Sequence, residues 1–264
     1  MPTVDARFER ELEIFRTEAE QCAQFLFAFL AVHDVAYRNK AVHRLLNRAP
    51  LFWNTCLGAL QGSAFITLGR VFDSDSPHNI SQLLRIAQDN RRQLFSRAAL
   101  GGRKQSNNSE RPDWLEDFLQ STREPTADDF RRIKKRVAKW RRVYEANYRD
   151  VRHQFFAHKQ AAEEPEVTAL FSKGTNRELQ QLIAFLGSLH QALWQLFFNG
   201  SKLVLRPVRY SLREIRRRPT PRFFSNRAVQ EIITHEAQAF LKFAASKEGS
   251  AAGVRGSRKR RSAK

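Results

Sequence analysis

Cysteine is almost absent from this chain of 264 residues, with Cys22 and Cys56 standing alone and no Cys-x-x-Cys pair or His-rich spacing beside them. That excludes a disulfide framework and a zinc module, and both thiols fall on apolar helical faces, where burial in a reducing compartment is expected. Long apolar runs are missing too. The longest near the N-terminus, Cys22 to Val32, is interrupted by Gln24 and is too short to span a bilayer, while Met1 to Glu11 is polar and charged. A soluble, cytoplasmic protein with no membrane partner is expected. No phosphate-cradling glycine loop, nucleophile elbow or metal-ligand helix occurs, so neither a metal nor another cofactor is called for and most familiar enzyme classes drop out.

Acidic charge is scarce where basic charge is densest. The 46 Lys and Arg against 27 Asp and Glu give a net charge of +19 and a pI of about 10.8. Polyanionic partners follow, nucleic acid first and an anionic membrane surface second. The excess is concentrated in three places. Arg131 to Arg142 carries eight basic residues and no acid, Ser201 to Arg222 carries eight against Glu214, and the tail from Lys247 to Lys264 carries seven against Glu248. Hydrophobic content of 42%, with 21 Phe, is ample for a core in one large domain or two small ones.

Helical periodicity dominates what is present. Phe8, Leu12, Phe15, Cys22, Leu26 and Phe29 mark a first amphipathic helix. Pro50 opens a second that runs to Asp73; it is apolar on more than one face and so is expected in the middle of a bundle. Asn79 to Gln82 caps a third helix reaching Phe95, and residues 101–112 read as a polar, flexible connection before a short helix from Asp113 to Ser121. Pro125, Thr126, Asp128 and Asp129 start a long basic helix whose stripe is Phe130, Ile133, Val137, Trp140, Tyr144, Val151 and Phe155. A strong helix begins at a capping box, Thr175 to Glu178, and stops at Asn199-Gly200. Leu203 to Tyr210 alternates like a strand, but Pro207 confines it to an extended arm or an edge. A basic helix at Ser211 to Arg218 and a last amphipathic helix (Val229, Ile232, Ile233, Phe240, Phe243) follow, and the composition after Glu248 predicts disorder. The fold class expected is all-α, an antiparallel bundle of about six to eight helices with a short extended arm after residue 200.

Near the end of the basic helix stand Arg152 and His158, in the run Tyr148-Arg149-Asp150-Val151-Arg152-His153-Gln154-Phe155-Phe156-Ala157-His158-Lys159. A fixed cation can stabilise charge on a phosphate in the transition state while an imidazole supplies base or acid near neutral pH, so such a pair can cleave RNA without a metal. Spacing alone decides nothing in so Arg-rich a chain, and a second such pair, Arg38 and His43, reads as a solvated helix end. His158 continues the apolar stripe, so a core imidazole bonded to a buried carbonyl is the competing account. On an ideal helix the two side chains leave about 120° apart and about 9 Å along the axis, which favours a site completed at an interface between two copies. Tyr144 and Tyr148 read as packing residues.

Three segments in order resemble the HEPN superfamily, and within it the abortive-infection proteins of bacterial phage defence. They are Arg152-His153-Gln154-Phe155-Phe156-Ala157-His158, then Leu68-Gly69-Arg70-Val71-Phe72-Asp73 with Ser76 to Leu84, and Leu186 to Gly200. The resemblance spans about residues 50–205 and implies an all-helical bundle, expected over residues 1–200; the chain past about 205 departs from it, with 201–247 expected as a basic arm and C-terminal helix packed on the bundle and 248–264 as a disordered basic tail. It implies a homodimer whose two signatures face each other and a metal-independent endoribonuclease. Arg152 would stabilise the phosphate and His158 would act as base or acid as the 2′-hydroxyl attacks, leaving a 2′,3′-cyclic phosphate and a 5′-hydroxyl. His153 holds a position where Asn or Asp is commoner and could orient or share the proton transfer. Arg141, Arg142, Arg149 and Lys159 are the expected RNA-backbone contacts. An antitoxin or sensor protein is a further expected partner. Two alternatives stay open: a non-catalytic nucleic-acid-binding or scaffold protein of the same fold, and a DNA-binding regulator acting through residues 201–222.

Overall fold

The computed structural model describes residues 3–105, 111–151, 174–206, 211–218 and 228–261, with side chains to Lys247. Among them the chain is all-α, with eleven helices and no strand. In chain order these are α1 (Val4–Arg38), α2 (Lys40–Arg48), α3 (Pro50–Phe72), α4 (Ile80–Asp89), α5 (Arg91–Phe95), α6 (Arg97–Gln105), α7 (Leu115–Ser121), α8 (Ala127–Asn147), α9 (Asn176–Asn199), α10 (Leu212–Arg217) and α11 (Val229–Arg261).

The count exceeds the six to eight expected because short polar residues cut several runs. Asn39, in extended backbone, ends α1 and caps α2 by accepting from the amides of Ala41 and Val42. Asn90 separates α4 from α5 and turns its own amide back on the Ile86 carbonyl at 3.0 Å. Side chains of this kind compete with the backbone for its partners, which is why they stop helices. In the opposite direction, residues 101–105 are helical rather than part of a loop. Leu100 and Gly101 of α6 are buried, and a Cβ on Gly101 would lie 3.2 Å from Leu119.

The helices cluster into two compact units, and α1 and α3 each contribute residues to both. The first comprises residues 1–20 and 65–210. Its core is aromatic: Phe8 lies 5.5 Å from Phe95 and 5.0 Å from Phe197, and Phe95 lies 5.9 Å from Phe130. Leu68, Leu83, Leu84, Leu182, Leu186, Leu189 and Leu193 fill the space around them. Arg103 of α6 spans this core's rim. Its guanidinium sits 4.1 Å over the Phe197 ring, pairs with Asp5 at 2.7 Å and donates to the carbonyls of Leu94 and Phe197 at 2.7 and 3.0 Å. One side chain thereby satisfies the ends of two helices and neutralises an acid in the first turn of a third.

The second unit comprises residues 21–64 and 211–264. α2 packs on α11 through Val42 against Leu241 and Ala245, with Val32 and Val35 of α1 beside them. That packing turns α11 away from the stripe expected for it. Leu241 and Ala245 face inward together with Glu231, Thr234 and His235, while Phe240 and Phe243 are exposed. The fully buried Cys22 donates its thiol to the Ala64 carbonyl at 3.6 Å, and Cys56 is half-buried. The N-terminal part of α3 is not enclosed as its sequence suggests: Leu51 and Phe52 are exposed, as are Thr55, Gly58 and Ala59 along the same face.

After α9 the chain turns at Gly200, a left-handed C-cap with φ of 58°. Residues 201–206 run on without helix or strand; Leu203 is buried while Lys202, Val204 and Arg206 are exposed. A Cβ on Gly200 would stand 2.6 Å from Thr122 and 2.8 Å from Leu100. Gly200→Ala is therefore expected to lower stability by about 2–4 kcal/mol, combining left-handed strain with overpacking, seen as a lower urea midpoint at unchanged slope.

Candidate nucleic-acid interface

α8 is built to hold two unlike faces apart. Thr126 and Asp129 close a reciprocal capping box, with the Asp129 carboxylate accepting from the Thr126 amide at 2.8 Å. Phe130, Ile133, Val137 and Tyr144 form the buried stripe, and Trp140 stacks on Phe185 at 5.8 Å. The opposite face carries Arg131, Lys135, Lys139 and Arg142 at helical spacing, with Lys134 and Arg136 to either side, all exposed. Arg131 pairs with Asp128 at 2.9 Å and Arg132 with Asp129. Lys134, Lys135, Arg136, Lys139 and Arg142 carry no ion pair among the described residues; Arg142 reaches only the Ala138 carbonyl, at 3.4 Å. Cations without carboxylates, in a row on an exposed helix, suit a phosphate backbone.

α8 ends earlier than the sequence suggests. Tyr148 is its C-cap, and Arg152, His153, His158 and Lys159 lie outside the described residues. What is described is how the flanks of that segment are fastened. The Glu178 carboxylate oxygen Oε2 accepts from the Asn147 amide at 2.7 Å and from the Tyr148 hydroxyl at 3.1 Å, and the same hydroxyl lies 3.4 Å from the Thr175 carbonyl. Thr175 still caps α9 by accepting from the Glu178 amide at 3.1 Å, but the Glu178 side chain is turned to α8 instead of completing a capping box. Gly174 packs so closely on the Tyr148 ring that a Cβ there would come within 2.4 Å. Tyr148 and Gly174 are thereby held against each other.

Tyr144 and Tyr148 are packing residues, as their positions imply. Tyr144 is fully buried, stacks on Phe72 at 5.3 Å and donates to Asp73 at 3.0 Å. Burial raises both phenols well above their ordinary pKa, and for Tyr148 the Glu178 carboxylate adds to the effect, so each stays a hydrogen-bond donor.

A cleft of about 450 Å³ opens beside this end of α8, lined by Glu18 of α1, Gly69, Arg70, residues 72–78, and Arg141, Glu145 and Arg149. Gly69, Arg70 and residues 72–78 bring one of the three segments noted in the sequence to this cleft. Its charge is mixed. Glu18 pairs with Arg70 at 2.8 Å, Asp73 accepts from Tyr144, and Arg141 donates to Ser81 at 2.7 Å; Asp75 and Glu145 add further negative charge. Of the expected RNA contacts, Arg141 is therefore largely committed within the fold. Arg142 lies on the open cationic face, and Arg149 is exposed at the cleft's edge. The second Arg–His pair is not a site: Arg38 is held by Asp34, and His43 lies 3.1 Å from the Asn47 amide on the next helix.

One histidine that the sequence places merely in a core helix has an unusual setting. His190 of α9 faces Arg16, which is itself held by Glu13 at 2.5 Å and Glu20 at 2.7 Å. Burial, reinforced by the Arg16 charge and only partly offset by Glu13, pushes its pKa down to about 4. The unfolded chain takes up this proton near pH 6.5 while the folded protein resists it, so stability is full above about 6.5 and falls as pH drops toward 4. Burial shifts His33 in the same direction. His190→Gln should remove about 2 kcal/mol of this pH dependence between pH 7 and pH 5, seen as a smaller fall in urea midpoint over that range than in the unaltered protein.

No helix among the described residues is long and apolar enough to cross a membrane. No curated protein and no solved structure matches the chain. A family model for AbiU2, of HEPN type, does match, over residues 5–216. The match runs from the first turn of α1 into α10, and it contains α8 with its cationic face, the Glu178 anchor, the cleft and the Arg152–His158 segment between them. The chain belongs to the AbiU2 family of HEPN-type abortive-infection proteins.

Proposed function

We propose that this protein is a metal-independent endoribonuclease, a ribonuclease-like toxin of phage defence, with its chemistry at Arg152 and His158. The observation that carries the reading is the row of unpaired cations on α8, which leads along the chain into that Arg–His segment. RNA laid along Lys135, Lys139 and Arg142 would be held by its phosphates. In the step itself the 2′-hydroxyl oxygen attacks the adjacent phosphorus as an imidazole takes its proton, with His158 in that role. Arg152 offsets charge on the phosphoryl oxygens, and the bond to the 5′-oxygen breaks as that oxygen gains a proton. The products are a 2′,3′-cyclic phosphate and a 5′-hydroxyl. His153 orients or shares the transfer, and Arg149 and Lys159 steady the strand on either side.

The active form in this reading is a cytoplasmic homodimer. On an ideal helix Arg152 and His158 would leave about 120° apart, and such a pair converges on a single phosphate most readily when the second copy supplies one of them. A toxin of this kind also calls for an antitoxin or sensor protein to hold it in check. If the pair does not cut, the same cationic face still binds RNA, and the protein is a non-catalytic binding or scaffold member of its family.

Incubating the purified protein with mixed RNA in EDTA should give fragments ending in cyclic phosphate. Arg152→Ala and His158→Ala should each lower the rate by about 100-fold or more while remaining folded. Cleavage by both variants at the full rate would remove the chemistry from this segment. Mixing the two inactive variants should restore about a quarter of the activity if each site takes one residue from each copy, since half of randomly paired dimers would hold one intact site of two. No recovery would place both groups in one protomer.

A further inference from the structure

A second cavity, distant in character from the mixed-charge cleft, lies between the C-terminal half of α9 and the stretch that follows Gly200. It encloses about 570 Å³ and is lined by Ser188, Gln191, Gln195, Lys202 and Arg206, with Ala192 and Val204 as its apolar floor. Its volume falls within the range of small-ligand sites. No carboxylate among the described residues lines it, and the sequence holds no Asp or Glu between Glu178 and Glu214. Lys202 and Arg206 are exposed and carry no ion pair among the described residues. Most arginines of this unit that reach a cavity or rim, Arg70 and Arg103 among them, are taken up by acids or carbonyls.

The polar groups are ordered by type. Ser188 donates to the Ala184 carbonyl at 2.9 Å, and Gln195 accepts from the Asn199 amide at 2.8 Å through Oε1, which leaves its own amide nitrogen as a donor. Gln191, one turn before Gln195, is bound to nothing among the described residues and offers both a donor and an acceptor. Two cations at one side and two carboxamides at the other match the two halves of a nucleotide, a phosphate and a base edge.

We infer that this cavity holds one nucleotide of a single RNA strand, with its phosphate on Lys202 and Arg206 and its base against the carboxamides of Gln191 and Gln195. This gives a function to the N-terminal part of the basic segment 201–222, which the chemistry of Arg152 and His158 leaves unused. The inference deepens the RNA reading, but it concerns binding alone and stands whether or not the strand is cut.

The test is binding of a fluorescent single-stranded RNA of about twelve nucleotides to the full chain, in EDTA with a 2′-O-methyl backbone so that cleavage cannot intervene. Lys202→Ala/Arg206→Ala is compared with a charge-matched control, Arg10→Ala/Arg44→Ala, in which both exposed cations lie elsewhere. The cavity variant is expected to bind at least tenfold more weakly than the control. Its affinity should also vary less steeply with salt, by about 0.7 in log–log slope for one lost phosphate contact. Gln191→Leu should weaken binding with no change in that slope, because it removes base contact and not charge. Equal losses in the cavity variant and the control would reduce the effect to overall charge and overturn the site. Adenosine monophosphate binding to the unaltered protein and not to the cavity variant, with RNA affinity the same in both, would assign the cavity to a free nucleotide and overturn it equally. Cleavage assays on ordinary RNA, run separately, report on Arg152 and His158, so failure of one reading is not mistaken for failure of the other.

Discussion

One carboxylate fixes the geometry around which the first unit does its work. Glu178 sits in the opening turn of α9, where a negative charge is favoured by the helix dipole, and its oxygen accepts from both Asn147 and Tyr148 at the closing turn of α8. The end of one helix and the start of the next are thus tied through a single charged acceptor, partly shielded from water. Bonds to a charged group are stronger than neutral ones, and removing the acceptor would strand two donors at once. The tie therefore fixes Tyr148 and Thr175, the described residues to either side of the Arg152–His158 segment, relative to the cationic face of α8.

The anchor also explains why the tyrosines cannot serve as stacking platforms. Tyr144 and Tyr148 are spent on the interior, one on Phe72 and Asp73, the other on Phe65, Gly174 and Glu178. Their hydroxyls stay protonated through burial and so remain donors over the whole working range of pH. With the aromatic groups on α8 turned inward, recognition on its outer side is left to charge, which holds a backbone without selecting a sequence.

Helix positions were legible where periodicity and end signals agreed. The helix start at Thr126, the Gly200 stop and the short helix from Ser211 each stand where the residues put them. The all-α class and the packing role of Tyr144 follow from the same stripe. What the sequence did not disclose was which face a uniformly apolar helix would bury. α3 is apolar nearly all round, and whether Leu51 or Ala64 faces inward depends on neighbours far along the chain. For α11, the α2 residue Val42 selects Leu241 and Ala245 and leaves the larger Phe240 and Phe243 outside. The same holds for the site. Thr175 was readable as a helix cap, but the reciprocal half of the expected capping box is not formed, and the diversion of Glu178 to Tyr148 is a contact across 30 residues with no local signature.

Net charge, finally, is a poor measure of the charge on offer to RNA. Arginine's planar fork binds carboxylates and carbonyls in two or three directions, and here Arg16, Arg70, Arg103 and Arg216 are all engaged within the fold, Arg216 with Asp34 at 2.7 Å. Those pairs cancel within the fold and add nothing to the chain's +19, so the net figure does not say which cations are left over. Lysine, a compact and strongly hydrated charge, stays on the outside, and Lys134, Lys135 and Lys139 stand together on α8 with no ion pair among the described residues. What distinguishes a binding surface in so basic a protein is the absence of acids around a cation. By that criterion the α8 face and the Lys202–Arg206 cavity qualify, and the cleft beside Arg141, for all its arginines, does not.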